Sequence, residues 1–149
     1  MDIWKYYDGD LKYPDLNKHS HEKEIAKTNI KWAFDYVSKH GKDEDLEPII
    51  AKSTYHSFWY AKLVLKGPFK LGEPAISKST EYSYQYATDI LKGPFPLGEP
   101  AIAKNAYYAV LYAEHILHDR FELAEPEIAK SASYEIGRAS CRERVLRLV

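Results

Sequence analysis

The chain has very little cysteine, a single methionine and no long apolar run. Its one cysteine, Cys141, excludes an internal disulfide and says little about redox compartment. No stretch approaches the ~18 consecutive apolar residues that a membrane-spanning helix needs. The opening "MDIWKYYDGD" has neither the basic start nor the apolar core of a signal peptide. The expected location is therefore cytoplasmic, without membrane association. Charge of either sign is also not in excess. The formal net charge of −1 gives no whole-chain field toward nucleic acid or an anionic surface. No nucleophile elbow, phosphate-binding glycine loop or zinc-protease signature is present, so the sequence gives no ground for expecting an enzyme or a bound cofactor. A length of 149 residues suits one domain with room for a core.

What is abundant is tyrosine, with 13 copies, and repetition. "EPIIAK" begins at Glu47, "EPAISK" at Glu73, "EPAIAK" at Glu99 and "EPEIAK" at Glu125, each 26 residues after the last. A more distant copy, "EKEIAK", starts at Glu22, 25 residues before the first of these. Internal periods of this size mark stacked repeat architectures.

Each unit reads physically as two helices and a joint. Proline in Glu-Pro suits a first helical turn, because its fixed φ is helical and its missing N–H has no partner there anyway. The short helix ends near the lysine, and Ser53, Ser79, Asn105 and Ser131 then supply N-cap chemistry for a second helix. In that second helix Tyr82, Tyr86 and Ile90 fall at i, i+4 and i+8, with Ala87 and Leu91 beside them, which makes one broad apolar face. Lys92-Gly93-Pro94 closes it, with Gly93 expected in the left-handed C′ position and Pro94 preventing continuation. Phe95 and Leu97 are expected to plug the gap between neighbouring units.

Such units cannot bury their apolar faces alone and must stack. The expected fold is all-α, a short α-solenoid of about five ~26-residue helix-turn-helix repeats. Residues 1–134 form the single repeat domain, with 1–21 as an N-terminal cap. In the first unit "GKDEDLE", Gly41 to Glu47, replaces the Gly-Pro-Phe joint and reads as a solvated acidic turn. The motif "LKG-x-F-x-x-GEPAIAKS" followed by "YAY-x-YA" resembles tandem helical repeats of uncharacterised phage and environmental proteins, from Glu22 to about Tyr134. That resemblance implies the helical fold and carries no catalytic or binding residues with it.

The register fails after Tyr134. Where the other units place Tyr60, Tyr86 and Tyr112 the fifth has Arg138, and where they place Val64, Ile90 and Ile116 it has Arg142. Burying unpaired guanidinium groups at apolar positions is costly. The chain has 16 lysines and, before Glu135, one arginine, Arg120; after Tyr134 there are four arginines and no lysine. "EIGRASCRERV", Glu135 to Val145, also matches the translation of a common sequencing adapter. Residues 135–149 are expected to be a foreign tail on a truncated repeat protein.

Two polar patterns are candidate ligand sites. Lys52, Lys78 and Lys104, with Lys27 and Lys130, share one repeat position, and stacking would align them as a ridge for an anion. The structural alternative is that each cation offsets the dipole at the end of a short helix, as the Glu47, Glu73, Glu99 and Glu125 row does at helix starts. Tyr84 and Tyr107 lie off the regular tyrosine columns and are expected to be more exposed, available to stack on bases or grip a peptide. Tyr60, Tyr86 and Tyr112 form one column and Tyr82, Tyr108 and Tyr134 another, both expected in the core. His19-x-His21 and His115-x-x-His118 lack the partners that would complete a metal site. Function on this reading is a non-enzymatic module binding a protein or peptide. The alternative is a binder of nucleic acid or a nucleotide-like anion through the lysine ridge with Tyr84 and Tyr107.

Overall fold

The computed structural model describes residues 18–134, and these are helical with no strand among them. The expected N-terminal cap up to residue 17 and the tail at 135–149 lie outside the described residues. The elements are α1 (Lys18–Ala26), α2 (Ile30–His40), α3 (Glu47–Ile50), α4 (Thr54–Trp59), α5 (Glu73–Ile76), α6 (Thr80–Gln85), α7 (Glu99–Ile102), α8 (Ala106–Tyr112) and α9 (Glu125–Tyr134). Among them no helix is long and apolar enough to cross a membrane. Short and longer helices alternate at the spacing of the sequence repeat.

Local chemistry sets these boundaries. Pro48, Pro74 and Pro100 occupy the first turn of α3, α5 and α7. The following helices start on side-chain caps: Ser53 Oγ accepts from the His56 N–H, Ser79 Oγ from the Tyr82 N–H, and Asn105 Oδ1 from the N–H groups of Tyr107 and Tyr108. Asn29 does the same for α2, accepting from the Lys31 N–H at 2.8 Å. In the fifth unit α9 runs unbroken through Lys130 and Ser131, so the expected N-cap at Ser131 does not form. There α9 packs on α8 and the turn before it, and continuous helix, which adds one backbone bond per residue fixed, prevails.

The longer helices are not uniform. After Trp59, Gln85 and Tyr112 the winding loosens to π-helix over Tyr60–Leu65, Tyr86–Leu91 and Ala113–Leu117. Each π segment ends on a left-handed residue: Lys66 (φ 51°), Lys92 (φ 53°) and His118 (φ 52°). The reversal expected at Gly93 therefore happens one residue earlier, at Lys92. The N–H groups of Lys92 and Gly93 both reach the Ala87 carbonyl, a closure in which the lysine makes the turn. Gly93 has no positive φ, and it precedes a proline, where extended backbone is favoured.

The core is a set of columns. Tyr36, Tyr60, Tyr86 and Tyr112 are buried, the last three completely. Small residues, Ala33, Ser57, Ser83 and Ala109, form a second buried column. Ile50, Ile76 and Ile102 come from the short helices, and Phe69, Phe95 and Phe121 from the joints. Tyr82 and Tyr108, expected in the core, are half-buried. Phe95 is the plug that the sequence suggests, whereas Leu97 is 51% exposed and plugs nothing.

Two glycines allow the plug to seat. A Cβ at Gly98 would lie 2.4 Å from Phe95 Cδ1 and 2.7 Å from Ser83 Cβ, and one at Gly72 would meet Phe69 and Ser57 in the same way. The glycine of "GEP" is thus a close-approach residue lying flat against the phenylalanine ring. In the first unit the pair is replaced: Leu46, fully buried, stands where Gly72 and Gly98 stand, and Asp43 takes the phenylalanine position. The expected solvated acidic turn is therefore tethered, with Asp43 and Asp45 both bound to Lys23 at 2.8 and 2.7 Å.

Candidate functional site

A hydrogen-bonded joint recurs through the units and determines which groups remain free. The buried Tyr86 hydroxyl donates to Glu73 Oε1 at 3.1 Å and accepts the Phe69 N–H at 2.8 Å. Tyr112 repeats this with Glu99 at 2.9 Å and the Phe95 N–H at 2.7 Å. Tyr60 donates to Glu47 at 3.1 Å. Burial pushes all three phenols well above the usual tyrosine range, and the neighbouring carboxylates push the same way. The glutamate row at the helix starts thus has a specific role that the dipole explanation missed. Glu47, Glu73 and Glu99 accept the phenols that lock their joints, whereas Glu125 is bound by Arg120.

Cross-unit bonds add to this. Thr54 Oγ1 donates to the Ala75 carbonyl at 2.7 Å, and Thr80 Oγ1 to the Ala101 carbonyl at 2.8 Å. Within units, Ser57 and Ser83 hydroxyls donate to the carbonyls of Ile50 and Ile76. These buried hydroxyls are therefore engaged in holding the joints together, while among the described residues Trp59 Nε1 is buried without a hydrogen-bond partner.

The lysines singled out by sequence, Lys52, Lys78 and Lys104, are exposed in the turns between helices and have no ion pair among the described residues. Lys27 and Lys130, at the same repeat position, pair locally with Glu24 and Glu127. Tyr107 is 67% exposed, as expected, and meets Tyr108 edge-on at 5.3 Å. Tyr84 is not free: it is half-buried against Tyr108, and its hydroxyl lies 2.9 Å from His115 Nδ1. Burial raises its pKa, as it does for Tyr82 and Tyr108. Neither tyrosine stacks with Lys52, Lys78 or Lys104. The cation–π contacts among the described residues belong to Lys62, 5.5 Å from the ring centres of Phe58 and of Trp59 and bound to Asp89 at 2.8 Å. His115 is thereby engaged with Tyr84. No group of three or more histidine, cysteine or acidic side chains that could hold a metal occurs among the described residues.

Sequence reasoning missed a different row. Leu71, Leu97 and Leu123 occupy the same joint position in successive units and are 51%, 51% and 56% exposed. Lys66, Lys92 and His118, the left-handed residues, form a second exposed row in the same joints. The signal was present in the recurring "LKGPF-x-LGEP", but alternation around Phe95 suggested that both apolar residues point inward. The turn instead sends the phenylalanine in and the leucine out. A cleft lined by Lys42, Glu47, Leu65, Pro68, Lys70 and Leu71 opens beside the first member of the leucine row. No protein-family model matches the chain, and comparisons with curated proteins and with solved structures find no match.

Proposed function

We propose that the chain is a short α-solenoid acting as a non-enzymatic interaction module, with a protein or peptide as its partner. The stacking reading is supported by contact order: each substantial contact between elements joins parts of one unit or of adjacent units. The observation that carries the binding reading is the leucine row. Singly exposed leucines are ordinary, but three exposed at one repeat position would line one edge of such a stack as an apolar strip. The tyrosine–glutamate pairs, which would otherwise invite an acid–base reading, are spent on the joints.

Selection from a displayed peptide library tests this. Enriched peptides should bind the wild-type protein and lose affinity for a Leu71→Ser/Leu97→Ser variant of unchanged melting temperature. Enrichment indifferent to those leucines would refute the reading. The exposed, unpaired Lys52, Lys78 and Lys104 favour a second reading, capture of nucleic acid or a nucleotide-like anion. That reading demands oligonucleotide binding that weakens steeply with salt, and no binding at low salt would remove it.

A further inference from the structure

We infer that the partner of the joint edge is an acidic segment carrying apolar residues at a three-residue spacing, bound in polyproline II form across the leucine row. This rests on the interaction-module reading above and adds the chemistry of what is bound. The first ground is charge. In the joints at residues 66–72 and 92–98 the charged side chains are Lys66, Lys70 and Lys92, all exposed and none in an ion pair among the described residues. The carboxylates that border these joints, Glu73 and Glu99, are engaged by the hydroxyls of Tyr86 and Tyr112. The phenols leave these carboxylates charged but hold them half-buried at the helix starts, so the exposed charge beside the leucines is the cation of Lys66, Lys70 and Lys92.

The second ground is rigidity. The N–H groups of Gly67 and Gly93 are bonded to the carbonyls of Ala61 and Ala87, those of Phe69 and Phe95 to tyrosine hydroxyls, and those of Gly72 and Gly98 to the carbonyls of Phe69 and Phe95. Pro68, Pro94 and Pro96 further restrict the backbone. A platform fixed in this way loses little conformational entropy when a partner settles on it. The third ground is spacing. Neighbouring packed helices lie roughly 8–10 Å apart, and a polyproline II chain rises about 3.1 Å per residue, or about 9 Å per three-residue turn. With three residues per turn, every third residue of such a partner falls on one face and can meet successive leucines, and the intervening side chains flank that face beside the lysines. In the joint that closes the fourth unit Asp119, Glu122 and the Arg120–Glu125 pair replace this pattern, which places the favoured footprint on the joints holding Leu71 and Leu97.

The test uses the whole chain and two labelled synthetic peptides, one repeating Leu-Glu-Asp and one repeating Leu-Lys-Lys, read by fluorescence anisotropy. The acidic peptide should bind and its basic twin should not. Leu71→Ser with Leu97→Ser should weaken binding about tenfold or more, since each buried leucine contributes on that scale. Lys66→Asn with Lys92→Asn removes the charge while keeping a residue that tolerates the left-handed backbone, and should both weaken binding and flatten its salt dependence. Equal binding of the two peptides, or acidic binding indifferent to all four substitutions, overturns the inference. So does self-association that vanishes in the leucine variant, because a second copy would then be the occupant. If library selection yields leucine-dependent peptides without acidic residues, the acidic chemistry fails while the interaction reading stands. If nothing selected depends on the leucines, both fail.

Discussion

Adding one methyl group at Gly98 should destabilise the fold, while adding the same group at Gly93 should not. The two glycines lie five positions apart in one joint. At Gly98 the new Cβ would sit 2.4 and 2.6 Å from two carbons of the Phe95 ring and 2.7 Å from Ser83 Cβ. Phe95 and Ser83 are 2% and 0% exposed, so neither can swing into solvent to make room. Overpacking of a closed core costs about 1–3 kcal/mol. For a chain of this size that lowers the melting temperature by roughly 2–4 °C per kcal/mol. At Gly93 the nearest atom to an added Cβ is the Leu91 carbonyl oxygen at 3.9 Å, an ordinary contact, and φ is not positive. Gly93→Ala then acts mainly on the unfolded chain and should stabilise by about 0.4–1 kcal/mol. Thermal denaturation followed by circular dichroism separates these signs. Phe95→Leu provides the internal control, because a smaller side chain relieves the clash and the double variant should be less unstable than the sum of the singles. Gly98→Ala as stable as wild type, or Gly93→Ala the more damaging of the two, would refute the geometry of the joint.

Further consequences follow from the tyrosine joint and the unit–unit bonds. Tyr86→Phe leaves the Phe69 N–H without its acceptor in a buried site and should cost about 1–3 kcal/mol in chemical denaturation. Rising pH should act on the same joint. The folded pKa values of Tyr60, Tyr86 and Tyr112 lie above the unfolded value of about 10. Their contribution is therefore complete below about pH 10 and is lost as pH rises toward the folded values. Phenolate absorbance of these three should appear together with unfolding, and ionisation in a protein that stays folded would contradict it. Thr80→Val removes the hydroxyl bond to the Ala101 carbonyl and should cost about 1 kcal/mol, with Thr80→Ser recovering part of it.

Much of this architecture was legible in the sequence, for local reasons. Proline at a first turn and Ser or Asn at an N-cap act within a few residues, so Pro74 and Ser79 could be placed without knowledge of the packing. The buried Tyr60, Tyr86 and Tyr112 column follows from helical spacing. Three features were not legible because they depend on tertiary fit. The π winding shifts the chain reversal from Gly93 to Lys92, and no propensity argument puts lysine in the left-handed region. The need for glycine at position 98 comes from the Phe95 ring, not from backbone conformation. Whether Tyr84 stays exposed depends on Tyr108 and on His115, which is 31 residues away in sequence.

The repeat also constrains where recognition can occur. A side chain at a repeated position faces the same neighbours in successive units, so selection on a joint fixes several residues at once. Glu73, Tyr86 and the Phe69 N–H illustrate this: the glutamate at a helix start, the phenol of the following helix and the amide of the preceding joint form one bonded set, renewed at Glu99, Tyr112 and Phe95. Some residues outside that set vary between units, as at Glu81 against Tyr107 or Lys70 against Glu122, while Lys52, Lys78 and Lys104 recur just after the short helices and Lys130 in the matching position of the fifth unit. Leu71, Leu97 and Leu123 break the correlation, being constant in position yet exposed and absent from the core. Burial accounts for the recurrence of phenylalanine, tyrosine and glycine, but it cannot account for a recurring leucine that half faces solvent. Recurrence of a large apolar side chain without burial is the ground on which we propose the joint edge, and not the helical faces, as the surface a partner would contact.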